Sequence, residues 1–173
     1  TVRAFPERMA AAFGPDFSPL CAAGIRTEAD GFFSERYLHA PIERALSLAG
    51  PGPVLREQII EVTSLASERP GHAFTLIDFI IQLGRVEGRT WGIFTATEKL
   101  RRCLTRGGLA FSALATARAD LAPNSADWGR YYDSNPMVCA MHDHQENPIS
   151  FRPLRSRPIE TGDAQNLEAR SVD

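Results

Sequence analysis

The sequence predicts a mixed α/β fold, a sheet with helices on its faces, and three observations predict it. Strand-like and helical patterns alternate in the middle of the chain, in the order strand, helix, strand, helix, strand. Glycine and proline punctuate them, at Gly50-Pro51-Gly52-Pro53 and at Gly107-Gly108. The 173 residues, 43% hydrophobic and 23% charged, suit one domain with a real core.

Taken in order, residues 3–13 predict a short amphipathic helix ended by Gly14-Pro15. Residues 20–27 predict a strand. Residues 34–48 predict helix, because Phe33, Tyr37, Leu38, Ile42 and Leu46 follow a 3.6-residue period. Pro41 divides that stretch into two short helices or one broken helix. Residues 58–66, apolar and β-branched around Glu61, are the strongest strand, and residues 67–72 a loop. Thr75-x-x-Asp78 reads as a capping box opening a buried helix over 75–83. A second strong strand covers 90–97, with Thr97 capping a helix over 98–106 that Gly107-Gly108 stops. Residues 111–117 predict a strand, 127–132 a short helix and 137–141 a last strand. One domain is expected over 1–146, and a poorly ordered tail over 147–173, rich in Pro, Arg, Ser and acidic residues.

Composition excludes several classes. A formal net charge of -2 gives no global attraction to nucleic acid or anionic membrane. No run of about 18 apolar residues is present, so stable membrane insertion is not expected. Arg3, Glu7 and Arg8 interrupt the apolar centre that a secretory signal needs. Three scattered cysteines, Cys21, Cys103 and Cys139, argue against a disulfide framework and for a reducing cytoplasm. Cys139 near His142-Asp143-His144 does not match the spacing of a closed zinc site, so no metal is expected.

Glu61 is the residue that chemistry singles out. A carboxylate within an apolar strand needs a partner, and burial raises its pKa toward that of a useful base. The alternative is a structural ion pair with Arg56 or Arg36. Strand alternation places Glu61 on the same face as Thr63. Cys103 reads as a small buried hydrophobe.

Four segments carry a resemblance. They are F-S-E-R-Y-L-H-A-P-I-E (33–43), R-E-Q-I-I-E-V-T-S-L-A (56–66), W-G-I-F-T-A-T-E-K-L-R-R-C-L-T-R-G-G-L (91–109) and D-W-G-R-Y-Y-D-S-N-P (127–136). In that order they resemble the thermostable hemolysin family, whose members look like GNAT-superfamily proteins near the acyl-homoserine lactone synthases. The resemblance implies a GNAT-like mixed sheet splayed between the strands at 58–66 and 90–97. It implies an N-acyltransferase that moves an acyl group from a thioester to a small-molecule amine, with Glu61 as base and Thr63 and Ser64 beside the thioester.

The arm of the donor would lie along Leu65. Its phosphate would sit at the next helix start, near Arg69, Gly71 and His72, with Arg101 and Arg102 as further cations. Glu35, Arg36, Trp128 and Tyr132 would shape the acceptor pocket. The usual GNAT loop is Gln/Arg-x-x-Gly-x-Gly/Ala, whereas Arg69-Pro70-Gly71-His72-Ala73 is one residue shorter and its proline lacks an amide. That favours a single phosphate, hence phosphopantetheine on an acyl carrier protein as donor, with acyl-coenzyme A as the other choice. Two positions depart from the family pattern: Thr63-Ser64 replaces the usual Gly-Asn, and Arg106-Gly107-Gly108-Leu109 the usual Arg-Leu-Gly-Leu. A non-catalytic binding module or a membrane-active hemolysin are the rival readings.

Overall fold

The structure, a computed structural model, describes residues 6–143. The expected tail at 147–173 therefore lies outside the described residues. A six-stranded sheet holds β1 (Arg8–Phe13), β2 (Pro19–Arg26), β3 (Ile59–Ser67), β4 (Trp91–Ala96), β5 (Ser112–Thr116) and β6 (Met137–His142). They lie in the order β1-β2-β3-β4-β6-β5. Neighbours are antiparallel except β3 and β4, which are parallel and joined by the long helix α2 (Pro70–Val86). Helix α1 (Ile42–Ala49) precedes β3, and α3 (Glu98–Arg106) follows β4.

Strand alternation sorts the core into two layers. On one face, Ile59, Trp91, Ile93 and Ala140 pack against Phe32 and against Ile42 and Leu46 of α1. On the other face, Ile60 packs with Ala10, Ala23 and Ile25 beneath Leu76 and Ile80 of α2. Also on that side, Phe74, Ile77 and Ile81 of α2 meet Leu104 of α3 and Met141 of β6. Thus α2 and α3 share one face, while α1 and the 3-10 turn Phe33–Tyr37 cover the other.

Most expected elements are found within a residue or two, and Pro41 separates the 3-10 turn from α1 as its geometry requires. Three expectations are corrected. The expected N-terminal helix is instead β1, whose alanines pair with β2 from Arg8↔Ile25 to Ala12↔Cys21. Helix propensity is a weak preference, and here pairing with the free edge of β2 outweighs it. Helix α2 begins at Pro70, inside the expected loop, with proline at its first position. Thr75 therefore lies one turn into the helix and donates to the Gly71 carbonyl (3.3 Å) instead of capping. The expected helix at 127–132 is two 3-10 turns, Ser125–Trp128 and Tyr132–Ser134, divided by Gly129 at φ 56°.

Candidate active site

The site follows from how β3 is built. Its first half pairs with β4, from Ile59↔Trp91 to Val62↔Phe94, and the pairing stops there. Both strands continue, β3 held only by β2 and β4 only by β6. The sheet therefore opens as a wedge at the carboxyl ends of its two parallel strands. Helices α2 and α3 both start there, each bringing the positive end of its dipole.

A β-bulge marks where the wedge begins. Between Gly24↔Thr63 and Ala22↔Ala66, two β3 residues, Ser64 and Leu65, face one β2 residue. Ser64 takes the left-handed conformation there, at φ 53°. Such a φ disfavours most side chains and is tolerated by glycine and asparagine, so the asparagine usual at this position in the resembled family is physically reasonable. The bulge shifts the alternation, and Leu65 packs toward the α2 and α3 side. Thr63 keeps a buried hydroxyl with no hydrogen-bond partner among the described residues.

Glu61 stands where the strands are still joined. It is fully buried, at 0% exposure, and Oε2 accepts from the Phe33 amide (2.6 Å) while Oε1 accepts from the Ser34 amide (2.8 Å). The Ser34 hydroxyl shares a hydrogen bond with Thr95 of β4 (2.8 Å), so the 3-10 turn is tied to both strands. Burial pushes the Glu61 carboxyl above its ordinary value of 4.5, against the opposing pull of the Ser34 and Phe33 donors and of the Arg26 charge. The alternative partners expected for Glu61 are engaged elsewhere. Arg56 pairs with Glu35 and Glu43, and Arg36 donates to the Phe33 carbonyl (2.9 Å).

A cavity of about 730 Å³ runs through the wedge. Among its lining residues are Glu61, Thr63, Ser64 and Leu65, with Arg26, Arg36 and Trp128 on the Glu61 side. On the α2 and α3 side it widens into an apolar limb lined by Ile77, Ile81, Leu104, Leu109 and Met141. Trp128 stacks on Phe33 (5.6 Å between centroids) and forms the outer wall.

Of the other expected site residues, Arg69, Gly71, His72, Arg101, Arg102, Glu35 and Tyr132 do not line this cavity. Arg69 is the N-cap residue of α2, and Gly71 and His72 fall in its first turn. His72 has a buried Nδ1 without a partner, and its carbonyl accepts from the Cys21 thiol (3.2 Å). Arg101 donates to the Ala96 and Asn135 carbonyls (2.7 Å each), and Arg102 pairs with Glu98 on the surface of α3. Glu35 is held by Arg56 and by the Ile42 amide (3.0 Å), and the Tyr132 hydroxyl bonds that of Tyr37 (2.9 Å). Thr97 accepts from the Leu100 amide as expected of a cap. Cys103 packs against the core and Cys139 is buried, its thiol pushed up to about 11 by burial. Near the expected His142-Asp143-His144 segment, His142 packs on Trp91 and Asp143 pairs with Arg85, while His144 lies outside the described residues. Among the described residues no group of three metal-ligating side chains comes together, and no helix is long and apolar enough to cross a membrane.

Sequence reasoning missed the two amides of the 3-10 turn, Arg26 and the apolar limb. The period of the 33–46 segment marked a helix but not which of its amides would remain free. Ile77 and Ile81 read only as buried helix.

Comparison with known proteins meets this geometry. Residues 1–146 match the thermostable hemolysin family. The chain belongs to that family. No curated protein sequence matches it. Among solved structures it is similar to TofI in a ternary complex with an inhibitor and MTA, at 10% identity and a TM-score of 0.55, over 79% of this chain and 65% of TofI. It is also similar to the acyl-homoserine lactone synthase LasI (10% identity, TM-score 0.51, 73% of this chain and 60% of LasI). A third is BjaI, a CoA-dependent acyl-homoserine lactone synthase with SAM and isopentyl-CoA (9% identity, TM-score 0.51, 80% and 59%). The chain spans less than two thirds of the length of each of these three. These likenesses establish the fold expected from the sequence, a GNAT-like mixed sheet flanked by helices.

Proposed function

We propose that this protein is an N-acyltransferase that moves an acyl group from a thioester donor to a small-molecule amine. The observation that carries the reading is the wedge between β3 and β4, an unpaired strand edge opening into a cavity beside a buried carboxylate. A pantetheine arm is linear and amide-rich, and the free edge of β3 offers it the hydrogen bonds an added strand would make. Thr63 lines the cavity, and its unpartnered hydroxyl can donate to the arm or to the thioester carbonyl. The acyl chain extends into the limb between Ile77, Ile81 and Leu104, where it loses contact with water.

In the reaction, Glu61 accepts a proton from the acceptor ammonium, directly or through water, and frees the amine. The amine nitrogen bonds to the thioester carbon, and amide donors at the bulge face the oxyanion. The intermediate collapses as the carbon–sulfur bond breaks. The nitrogen gives up its second proton, the departing sulfur takes one up, and the products are an amide and a free thiol. The raised pKa makes Glu61 a stronger base than an ordinary carboxylate.

The donor is an acyl carrier protein, with acyl-coenzyme A the alternative. Proline at the first position of α2 supplies no amide, and the His72 amide already bonds the Arg69 carbonyl (3.1 Å). That helix start therefore suits one phosphate better than two, with the exposed Arg69 beside it. The test is to incubate the protein and a panel of amines with acyl-loaded carrier protein or with acyl-coenzyme A, and follow acyl loss by mass spectrometry. Loss from the carrier supports the full proposal, and loss from coenzyme A alone replaces the donor. Acyl loss from neither, with leakage of vesicles by pure protein, would favour the membrane-active reading. Acyl loss from neither, without leakage, would favour a binding module.

A further inference from the structure

Resting on the acyl-transfer reading, we infer that the acceptor amine carries a carboxylate, as an α-amino acid does, with Arg26 and Arg36 holding that carboxylate while its amine faces Glu61.

The register of β2 on β3 places Arg26 directly across from Glu61, so the two side chains leave the sheet on one face. They do not form an ion pair. Glu61 is occupied by the Phe33 and Ser34 amides, and Arg26 Nη1 bonds the carbonyls of Asp30 (3.2 Å) and Gly31 (3.4 Å). Arg36 lies on the other flank of the same turn, its guanidinium 3.9 Å from the Phe33 ring centroid. Both arginines line the cavity, and neither pairs with a carboxylate among the described residues. The contrast with the rest of the chain is informative. Arg8, Arg56, Arg85, Arg89, Arg102, Arg118 and Arg130 each pair with an acidic side chain. Arg44, Arg69 and Arg106, which do not, are exposed, and Arg101 bonds two carbonyls away from the cavity.

Arg26 and Arg36 are thus two half-buried cations on a cavity wall, each keeping guanidinium donors that no protein carboxylate uses. Partial burial of a cation is costly unless an anion meets it, and the guanidinium fork matches a carboxylate. The anion must also come with a positive charge. Glu61 lines the same cavity, so a phosphate or a dianion held by the arginines would also meet a carboxylate. A zwitterion, its carboxylate toward the arginines and its ammonium toward Glu61, satisfies both signs. The stacked Phe33 and Trp128 rings give its side chain an apolar wall.

The experiment compares matched amines, phenylalanine with phenethylamine and leucine with isopentylamine. For each, acyl transfer from the working donor is measured as kcat/KM, and binding by quenching of tryptophan fluorescence. The wild type is expected to favour the amino acid of each pair by tenfold or more. Arg26→Gln and Arg36→Gln are expected to bring that ratio to within twofold of one, chiefly through KM. Circular dichroism checks that each variant is folded, and two variants guard against one failing. Transfer to the amines without preference for the amino acids overturns this inference and leaves the acyltransferase reading standing. Arginine-dependent binding of the amino acids without any transfer supports this site and removes that reading. Equal binding within each pair, with no transfer, removes both.

Discussion

The two halves of β3 belong to one strand and have opposite characters. Ile59, Ile60 and Glu61 are buried and paired with β4, and at Glu61 and Val62 the strand is paired on both sides. Beyond Val62 the residues other than Leu65 are small or polar, the strand bulges at Ser64, and the side toward β4 is left open. The first half keeps the sheet in one piece, and the second makes room for a ligand. The fold buries its core where the strands are zipped and leaves a strand edge unpaired where a substrate would bind. Glu61 sits at the junction, rigid because two amides hold it and reachable because the wedge starts beside it.

Substitutions on either side of that junction should separate function from stability. The largest effect is expected at the junction itself. Glu61→Gln should lower kcat by about 10²- to 10⁴-fold, the usual worth of a positioned general base. The wild-type rate should rise with pH through the raised pKa of Glu61, and the variant should lose that step in the pH–rate profile. Stability should follow the same group. A carboxyl whose folded pKa is raised stabilises the fold fully below its unfolded value near 4.5, and that contribution is lost as pH rises through the folded pKa. Urea melts across this range should therefore show the wild type losing stability relative to Glu61→Gln as pH increases.

Within the zipped half, Ile93→Ala removes a fully buried side chain and should cost about 2–5 kcal/mol by urea denaturation. At the bulge, Ser64→Val forces a β-branched residue into the left-handed region and should cost about 1–2 kcal/mol, whereas Ser64→Gly should be neutral or slightly stabilising. The smallest effect on stability is expected in the open half. Thr63→Val removes a buried hydroxyl that has no partner, so stability should change by less than about 0.5 kcal/mol. The same substitution should raise KM for the thioester several-fold, the worth of about one hydrogen bond. A large stability loss at Thr63 would mean that the two halves do not differ as described.

The zipped half was legible in the sequence because its information is local. A β-branched run around Glu61 and an apolar run at 91–96 can form only buried neighbouring strands, and the family motifs ordered them. The open half was legible in part. The wedge was expected from the resemblance, but the bulge was not, because a left-handed serine leaves no periodic signal. The start of α2 was hidden by Pro70, which reads as a loop residue although it also suits a first helical position. The mistaken N-terminal helix has a similar cause, since three alanines suit a helix until the free edge of β2 supplies a better partner. Arg26 was missed because its meaning lies in a cross-strand register with Glu61, a residue far from it in the chain.

The central claim is that the unpaired edge of β3 receives the thioester arm. Amide hydrogen exchange, followed by NMR with and without acyl-pantetheine or acyl-loaded carrier protein, tests it most directly. The account predicts that, of the amides at residues 63–66, those that point away from β2 exchange fast in the free protein and slow markedly with the donor present, while those of Ile60–Val62 stay protected throughout. Slow exchange of those wedge-facing amides in the free protein, or no change in them when the donor binds, would contradict it.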